Sequence, residues 1–224
     1  MKIRLPQALL ILCFSIIGLP KGWTQAQFSI QLNAAQPIGE YADYIHHTPM
    51  GISFTYLKPF KKSNGLFWGM EVGVGMFYKD TYDLAKPNGP GYFEVDEEDC
   101  FLSYLLLARY YGYNKSIFTP YVEARLGATS FFSTLYSDDA AENGFKNETE
   151  FHGTAFNAGF GVGSLLRLGK QVALDMSVAI SKGTRTHYRS IDNKADRIRL
   201  NLAEGEQVST TDFVNYKLGI LFGF

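Results

Sequence analysis

The stretch Phe213-Val214-Asn215-Tyr216-Lys217-Leu218-Gly219-Ile220-Leu221-Phe222-Gly223-Phe224 decides the fold class. Val214, Tyr216, Leu218, Ile220, Phe222 and Phe224 are all apolar or aromatic. The alternate set, Phe213, Asn215, Lys217, Gly219, Leu221 and Gly223, is mixed, small or charged. Successive side chains of a β-strand point to opposite faces, so a period of two predicts a strand with one apolar face and one polar face.

The same alternation recurs up the chain. A first strand at about Gln27–Gln36 sets Phe28, Ile30, Leu32 and Ala34 against Gln27, Ser29, Gln31 and Asn33. A second, at Met50–Pro59, sets Ile52, Phe54 and Tyr56 against Gly51, Ser53 and Thr55. The third, Leu66–Tyr78, sets Leu66, Trp68, Met70, Val72, Val74, Met76 and Tyr78 against Gly69, Glu71, Gly73 and Gly75. The fourth, Asp99–Tyr111, is more hydrophobic on both faces than the others; the phase taken here sends Leu102, Tyr104, Leu106 and Ala108 outward, with Ser103 and Arg109 inside. The fifth, Pro120–Phe132, sets Val122, Ala124, Leu126 and Ala128 against Glu123, Arg125, Gly127 and Thr129. The sixth, Gly153–Leu166, sets Phe156, Ala158, Phe160 and Val162 against Asn157, Gly159, Gly161 and Gly163. The seventh, Gln171–Lys182, sets Val172, Leu174, Met176, Val178 and Ile180 against Asp175, Ser177 and Ser181. The C-terminal stretch is the eighth.

Strands of this length match the ~9–11 tilted residues that cross a bilayer. The connections alternate too. Phe60–Gly65, Gly112–Thr119 and Arg167–Lys170 are short; Pro37–Pro49, Lys79–Glu98, Ser133–His152 and Gly183–Thr210 are long. Short turns at one end and long loops at the other predict an all-β fold: an eight-stranded antiparallel up-and-down transmembrane β-barrel with short periplasmic turns and long external loops. An even strand count brings both ends of the barrel to the periplasmic side. Tyr78, Tyr110, Tyr121, Phe131, Phe132 and Phe224 fall near strand ends and are read as interfacial aromatics. The rival fold is a soluble lipocalin-like barrel, which would turn the apolar set inward around a ligand.

Residues 1–26 read as a secretory signal peptide, leaving 27–224 as the barrel. Lys2 and Arg4 start it, Ala8–Leu19 form a short apolar run, and Thr24-Gln25-Ala26 place cleavage before Gln27. Cys13 does not fit a lipidation site, because Leu12 precedes it. One cysteine, Cys100, then remains, so an intramolecular disulfide is excluded. The remaining chain has a small negative charge, which is no nucleic-acid-binding profile. A mean hydropathy of only -0.08 suits a barrel whose strands each turn half their side chains inward. The expected location is the bacterial outer membrane, reached by general secretory export.

Leu105–Tyr111 (LLLARYY) and Pro120–Ala128 (PYVEARLGA), with Pro37–Tyr41 (PIGEY) and the closing LGILFGF, resemble the outer-membrane β-barrel domain family of Bacteroidetes-type bacteria, which includes the PorT-like barrels. The proline common before the strand-four leucines in that family is replaced here by Ser103-Tyr104. The resemblance implies an eight-stranded barrel and no single activity; some members serve secretion machinery.

On this phase six charges face inward: Glu71, Arg109, Glu123, Arg125, Asp175 and Lys217, three acids and three bases. The interior of an eight-stranded barrel is just wide enough to be filled by side chains, and charges there must pair. A charge network plugging the lumen is therefore expected, with inward glycines giving room to the long side chains; a gated ion path or a catalytic carboxylate is the sharper alternative. Tyr216, Leu218, Ile220, Phe222 and Phe224 form the C-terminal signal that barrel-assembly machinery would read. Loop four carries Arg185, Arg189, Arg197 and Arg199, suited to lipopolysaccharide phosphates. Glu94, Asp96, Glu97, Glu98 and Asp99, and then Asp138, Asp139, Glu142, Glu148 and Glu150, make two other loops acidic, without a calcium-loop motif. His46, His47, His152 and His187 fall in loops or at their edges, and no Ser-His-Asp or metal-ligand spacing accompanies them.

These observations predict no cofactor, no metal and no enzymatic activity: a porin-like integral barrel of the cell envelope with a structural or loop-mediated role. The expected partners are outer-membrane lipid, lipopolysaccharide, the assembly machinery and an envelope protein. The alternatives are an accessory component of a secretion or transport complex, resting on the resemblance, and an outer-membrane hydrolase using a loop histidine.

Overall fold

The computed structural model describes residues 26–60, 65–85, 90–112, 117–137, 148–189 and 206–223. Its strands are β1 (Gln27–Pro37), β2 (Met50–Pro59), β3 (Leu66–Ala85), β4 (Tyr92–Tyr111), β5 (Phe118–Tyr136), β6 (Glu148–Arg167), β7 (Val172–Gly183), β8 (Thr186–Arg189), β9 (Glu206–Ser209) and β10 (Phe213–Phe222). Eight of them close a barrel in the order β1-β10-β7-β6-β5-β4-β3-β2, and β8 and β9 form a separate two-stranded ribbon. Every barrel pairing is antiparallel; β7 pairs with β10 across the ribbon, and β10 closes on β1 from Phe28 opposite Phe222 to Pro37 opposite Phe213. The predicted signal peptide lies outside the described residues, apart from Ala26.

The alternation seen in the sequence becomes an inside-out barrel. In β5 the outward Leu126 is 62% exposed while its neighbour Arg125 is buried, and in β6 the outward Phe156 is 70% exposed beside buried Asn157. Ile30, Ile52, Met70, Tyr104, Val162, Val178 and Leu218 continue the apolar exterior around the wall. A water-soluble barrel could not leave so continuous an apolar belt exposed, so the lipocalin-like arrangement is excluded. β4 takes the phase with Arg109 inside.

Four strands are much longer than expected. β3, β4, β5 and β6 span 19 or 20 residues each, against 10 to 12 for β1, β2, β7 and β10. The second and third long loops are in large part strand: Lys79 to Ala85 pairs with Tyr92 to Glu98, and Ser133 to Leu135 pairs with Glu150 to Glu148. Glu94, Asp96, Glu97, Glu98 and Asp99 therefore stand on β4 and not in a loop. Their charge reads as loop, yet beyond the bilayer a strand can carry charge on both faces. Lys79 donates to Glu98 at 2.8 Å, and Thr81 to Asp96 at 2.5 Å, across this extension. The fourth loop contains β8 and β9.

Two bulges change which aromatics face out. One extra residue in β3 between Met76 and Tyr78 puts Tyr78 opposite the buried Asp99, on the inner side. Tyr121 and Phe131 are also buried inside, so these three are lumen residues and not interfacial aromatics. Tyr110 does face outward, and Phe224 lies outside the described residues. The outward aromatics at the barrel's lower end are Phe28, Tyr56, Trp68, Tyr110, Phe118 and Phe222, with Phe28 and Tyr56 5.0 Å apart.

Candidate functional site: a layered lumen

Inward-facing residues fill the barrel in layers. At the lower end Tyr111, Tyr121, Leu165, Ala173 and Leu221 make an apolar floor with Phe67. At the upper end Tyr41, Ile45, Phe77, Phe131, Ala155 and Tyr188 make an apolar cap. The six sequence-predicted charges all lie between, each buried.

Asp175 and Glu123 organise the lower part. Arg109 donates through Nε to Glu123 at 2.6 Å and through Nη1 to Asp175 at 2.9 Å. Arg125 Nε donates to the other oxygen of Glu123 at 2.6 Å. Asp175 also accepts from Gln31 Nε2 at 2.9 Å and from the Tyr121 hydroxyl at 2.5 Å. The Arg109 guanidinium lies over the Tyr121 ring, 4.1 Å from its centre, a stacking that a planar cation favours. Tyr111 accepts from Arg109 at 3.3 Å and donates to Gln27 at 2.7 Å. In the second group Lys217 pairs with Glu71, which also accepts from Thr55 at 3.3 Å. Three acids and three bases neutralise one another, and Arg109, Asp175 and Glu71 gain further hydrogen bonds, which helps to make buried charge tolerable.

The sequence missed Tyr111, Tyr121, Gln27 and Gln31 as members of this network. The signal was present, since each shares the inward phase of its strand; alternation gives the face of a residue but not its height in the lumen. The inward glycines also serve differently from expectation. A Cβ on Gly163 would meet the Tyr121 ring at 2.3 Å, and one on Gly75 would meet Phe101 at 2.3 Å. Glycine at these two positions seats aromatic rings.

Between the charges and the cap lies a cavity of about 40 Å³, bordered by Glu71, Arg125 and Lys217 below and Tyr41, Phe131 and Phe213 above. That is room for a few waters. Asn33 Oδ1 and Asn157 Oδ1, on residues lining it, have no hydrogen-bond partner among the described residues.

The cap is held down from the side. A 3-10 turn, Gly39–Asp43, puts Tyr41 into the mouth, edge-on to Tyr188 at 5.0 Å and to Phe213 at 5.5 Å. Glu40 beside it pairs with Arg185 and accepts from the Thr210 backbone N–H at 3.3 Å. The Thr210 N–H, and then the Arg185 side chain, hold the Glu40 carboxyl below the ordinary glutamate range. Burial pushes the Tyr188 phenol up to about 12, so it stays protonated in the cap. Gly39 has a φ of 60°, the left-handed conformation that lets the chain turn from β1 into the mouth.

Of the residues expected to meet lipopolysaccharide, Arg185 is exposed and paired with Glu40, Arg189 lies on β8 opposite Glu206, and Arg197 and Arg199 lie outside the described residues. In the C-terminal signal, Tyr216, Leu218, Ile220 and Phe222 form an outward row on β10. His46, His47 and His187 are exposed.

His152 is different. It is the extra residue of a bulge in β6, between the pairs Phe132–Phe151 and Phe131–Gly153. Its Nε2 lies 2.7 Å from Ser133 Oγ on β5, and Ser133 donates to Asp99 on β4. An acid, a serine and a histidine thus meet although no spacing announced them. Their order is not that of a nucleophilic triad, where the imidazole stands between hydroxyl and carboxylate. Here the hydroxyl stands in the middle, fully buried, with its proton directed at Asp99. Among the described residues no group of three or more His, Cys, Asp or Glu could hold a metal ion.

This closed barrel, apolar outside and charged inside, defines a class: the eight-stranded barrels of bacterial outer membranes. A solved structure agrees. The chain is similar to neisserial surface protein A at 13% identity, with a TM-score of 0.56, covering 89% of this chain and 97% of that one. It also aligns with a major outer membrane protein of Thermus thermophilus, at 13% identity and a TM-score of 0.49, covering 88% and 98%. Outer membrane protein W of Escherichia coli gives 17%, 0.42, 89% and 98%. At these identities the likeness is one of fold. No family model and no curated protein matches the chain.

Proposed function

We propose that this chain is a non-enzymatic integral protein of the bacterial outer membrane, with a plugged lumen and a loop- or strand-mediated interaction role outside the cell. The observation that carries the reading is the inversion of polarity: an exposed apolar exterior around a buried, self-neutralising set of six charges. Residues 1–26 act as its export signal. The outward row of β10 is what barrel-assembly machinery reads, and the basic residues of the β7–β10 connection meet lipopolysaccharide phosphates. The four-stranded extension of β3 to β6 is the surface offered to partners. It also favours a second reading, consistent with the PorT-like resemblance, in which the barrel is an accessory part of an envelope secretion or transport complex.

Both readings fix an orientation, with the extension outside the cell and the short turns in the periplasm. In a Cys100→Ala background, Thr149→Cys on the extension is labelled on intact cells by a membrane-impermeant maleimide. Lys170→Cys at the opposite end is labelled only after the outer membrane is permeabilised. Labelling of both sites on intact cells, or of neither, contradicts the proposal.

A further inference from the structure

The charges outside the lumen are sorted by end. At the lower end the described residues include Lys58, Arg167 and Lys170, and none of the 22 acidic side chains of the sequence falls between strands there. Glu71, Glu123 and Asp175 belong to the lumen network, and the other nineteen acids, with Glu97 and Asp99 buried on the inner side of β4 among them, belong by chain connectivity to the upper half, where they outnumber the bases about two to one. Self-neutralisation operates in the lumen and partly outside; at the lower rim the sequence supplies no acidic side chain.

The described members of this rim sit at a defined level. Lys58 ends β2 directly opposite Trp68 of β3, both pointing outward. Arg167 and Lys170 are exposed at the end of β6 and in the turn to β7. Just above them lies the lower aromatic row, with Trp68, Tyr110 and Phe118 each about half exposed. Aromatic rings of this kind mark the depth of the lipid headgroups, and long basic side chains next to them reach their charge into that layer while their stems lie on the apolar wall.

We infer that this rim is a binding surface for anionic phospholipid headgroups of the leaflet that surrounds the lower end. The inference rests on the membrane reading given above. Phosphodiester headgroups complement the basic side chains of the rim, at the depth the aromatic row sets, and need no specific pocket. An acidic segment of a periplasmic protein would match the charge but has no reason to meet Lys58, which points sideways beside Trp68 and away from the turn. Each basic side chain near an anionic surface is worth about fivefold in partitioning.

Trp68 is the one tryptophan outside residues 1–26, and it lies beside Lys58, so it reports the lipid that gathers there. The full chain carrying Trp23→Phe is folded into vesicles containing equal fractions of phosphatidylglycerol and phosphatidylcholine, with the acyl chains of one or the other brominated to quench tryptophan. The expected result is stronger quenching by the brominated anionic lipid, corresponding to about a threefold or greater enrichment at Trp68. That preference shrinks in high salt, disappears in Lys58→Gln/Arg167→Gln/Lys170→Gln, and is unchanged in Lys182→Gln at the other end. Equal quenching by the two lipids overturns the inference and leaves the rim to an acidic protein partner. A preference that survives the triple substitution overturns it as well. Absence of quenching by either lipid overturns the membrane reading itself, and this inference with it.

Discussion

Glu123→Ala is expected to destabilise the folded barrel by about 3–5 kcal/mol, measured as the shift in urea unfolding of the protein folded in detergent micelles. Glu123 serves two guanidinium groups, each at 2.6 Å and each buried. Removing it leaves Arg125 without that pairing in a lumen that water reaches poorly, and leaves Arg109 with Asp175 as its paired carboxylate. The cost is chiefly that of stranding buried charge and not the net worth of the bonds. A paired change separates the two: Glu123→Leu with Arg125→Leu removes an acid and a base together and should recover much of the loss, because a buried pair replaced by apolar groups of similar volume is often nearly neutral. A loss below about 1 kcal/mol for Glu123→Ala would mean that the lumen is wet enough to solvate the arginines.

The second large effect is on the opposite face. Leu126→Arg is expected to cost about 2–4 kcal/mol in a bilayer, whereas Phe118→Arg costs about 0–1 kcal/mol. Both side chains point outward from β5 and are more than half exposed, Leu126 at mid-strand and Phe118 at its lower end. Lipid penalises charge according to depth, so the two substitutions separate although their exposure is alike. In a water-soluble barrel neither would matter, since surface changes there stay within about 0.5 kcal/mol. Unfolding in vesicles of defined composition provides the comparison.

Most of the wall was legible in the sequence, for a physical reason. A strand with lipid on one side and packed polar groups on the other must alternate, and at 222, 220, 218 and 216 on β10, or 126, 124 and 122 on β5, it does so without interruption. The inward phase of Glu71, Arg109, Glu123, Arg125, Asp175 and Lys217 followed from the same rule. What the rule does not carry is height and length. β3 and β4 continue through Thr81, Asp83, Glu94 and Asp96, where the outward positions turn polar, while Phe93 and Val95 pack inside with Leu135 and the backbone ladder goes on. The bulges at Phe77 and His152 each invert the phase by one residue, and the first is why strict alternation along β3 puts Tyr78 on the wrong side. The meeting of Asp99, Ser133 and His152 depends on one of those bulges and on the registers of three strands, none of which a single strand's pattern contains.

The most direct measurement is a nitroxide scan of β5 from residue 122 to residue 129 in the protein folded into lipid bilayers, reading collisions with oxygen, which concentrates in lipid, and with a water-soluble nickel complex. Oxygen accessibility is expected to peak at 122, 124, 126 and 128 and to fall at 123, 125, 127 and 129, with little access of the nickel complex to either set. Peaks at the odd positions, nickel access at the even ones, or no period of two would contradict a barrel whose apolar alternate face lies in the membrane.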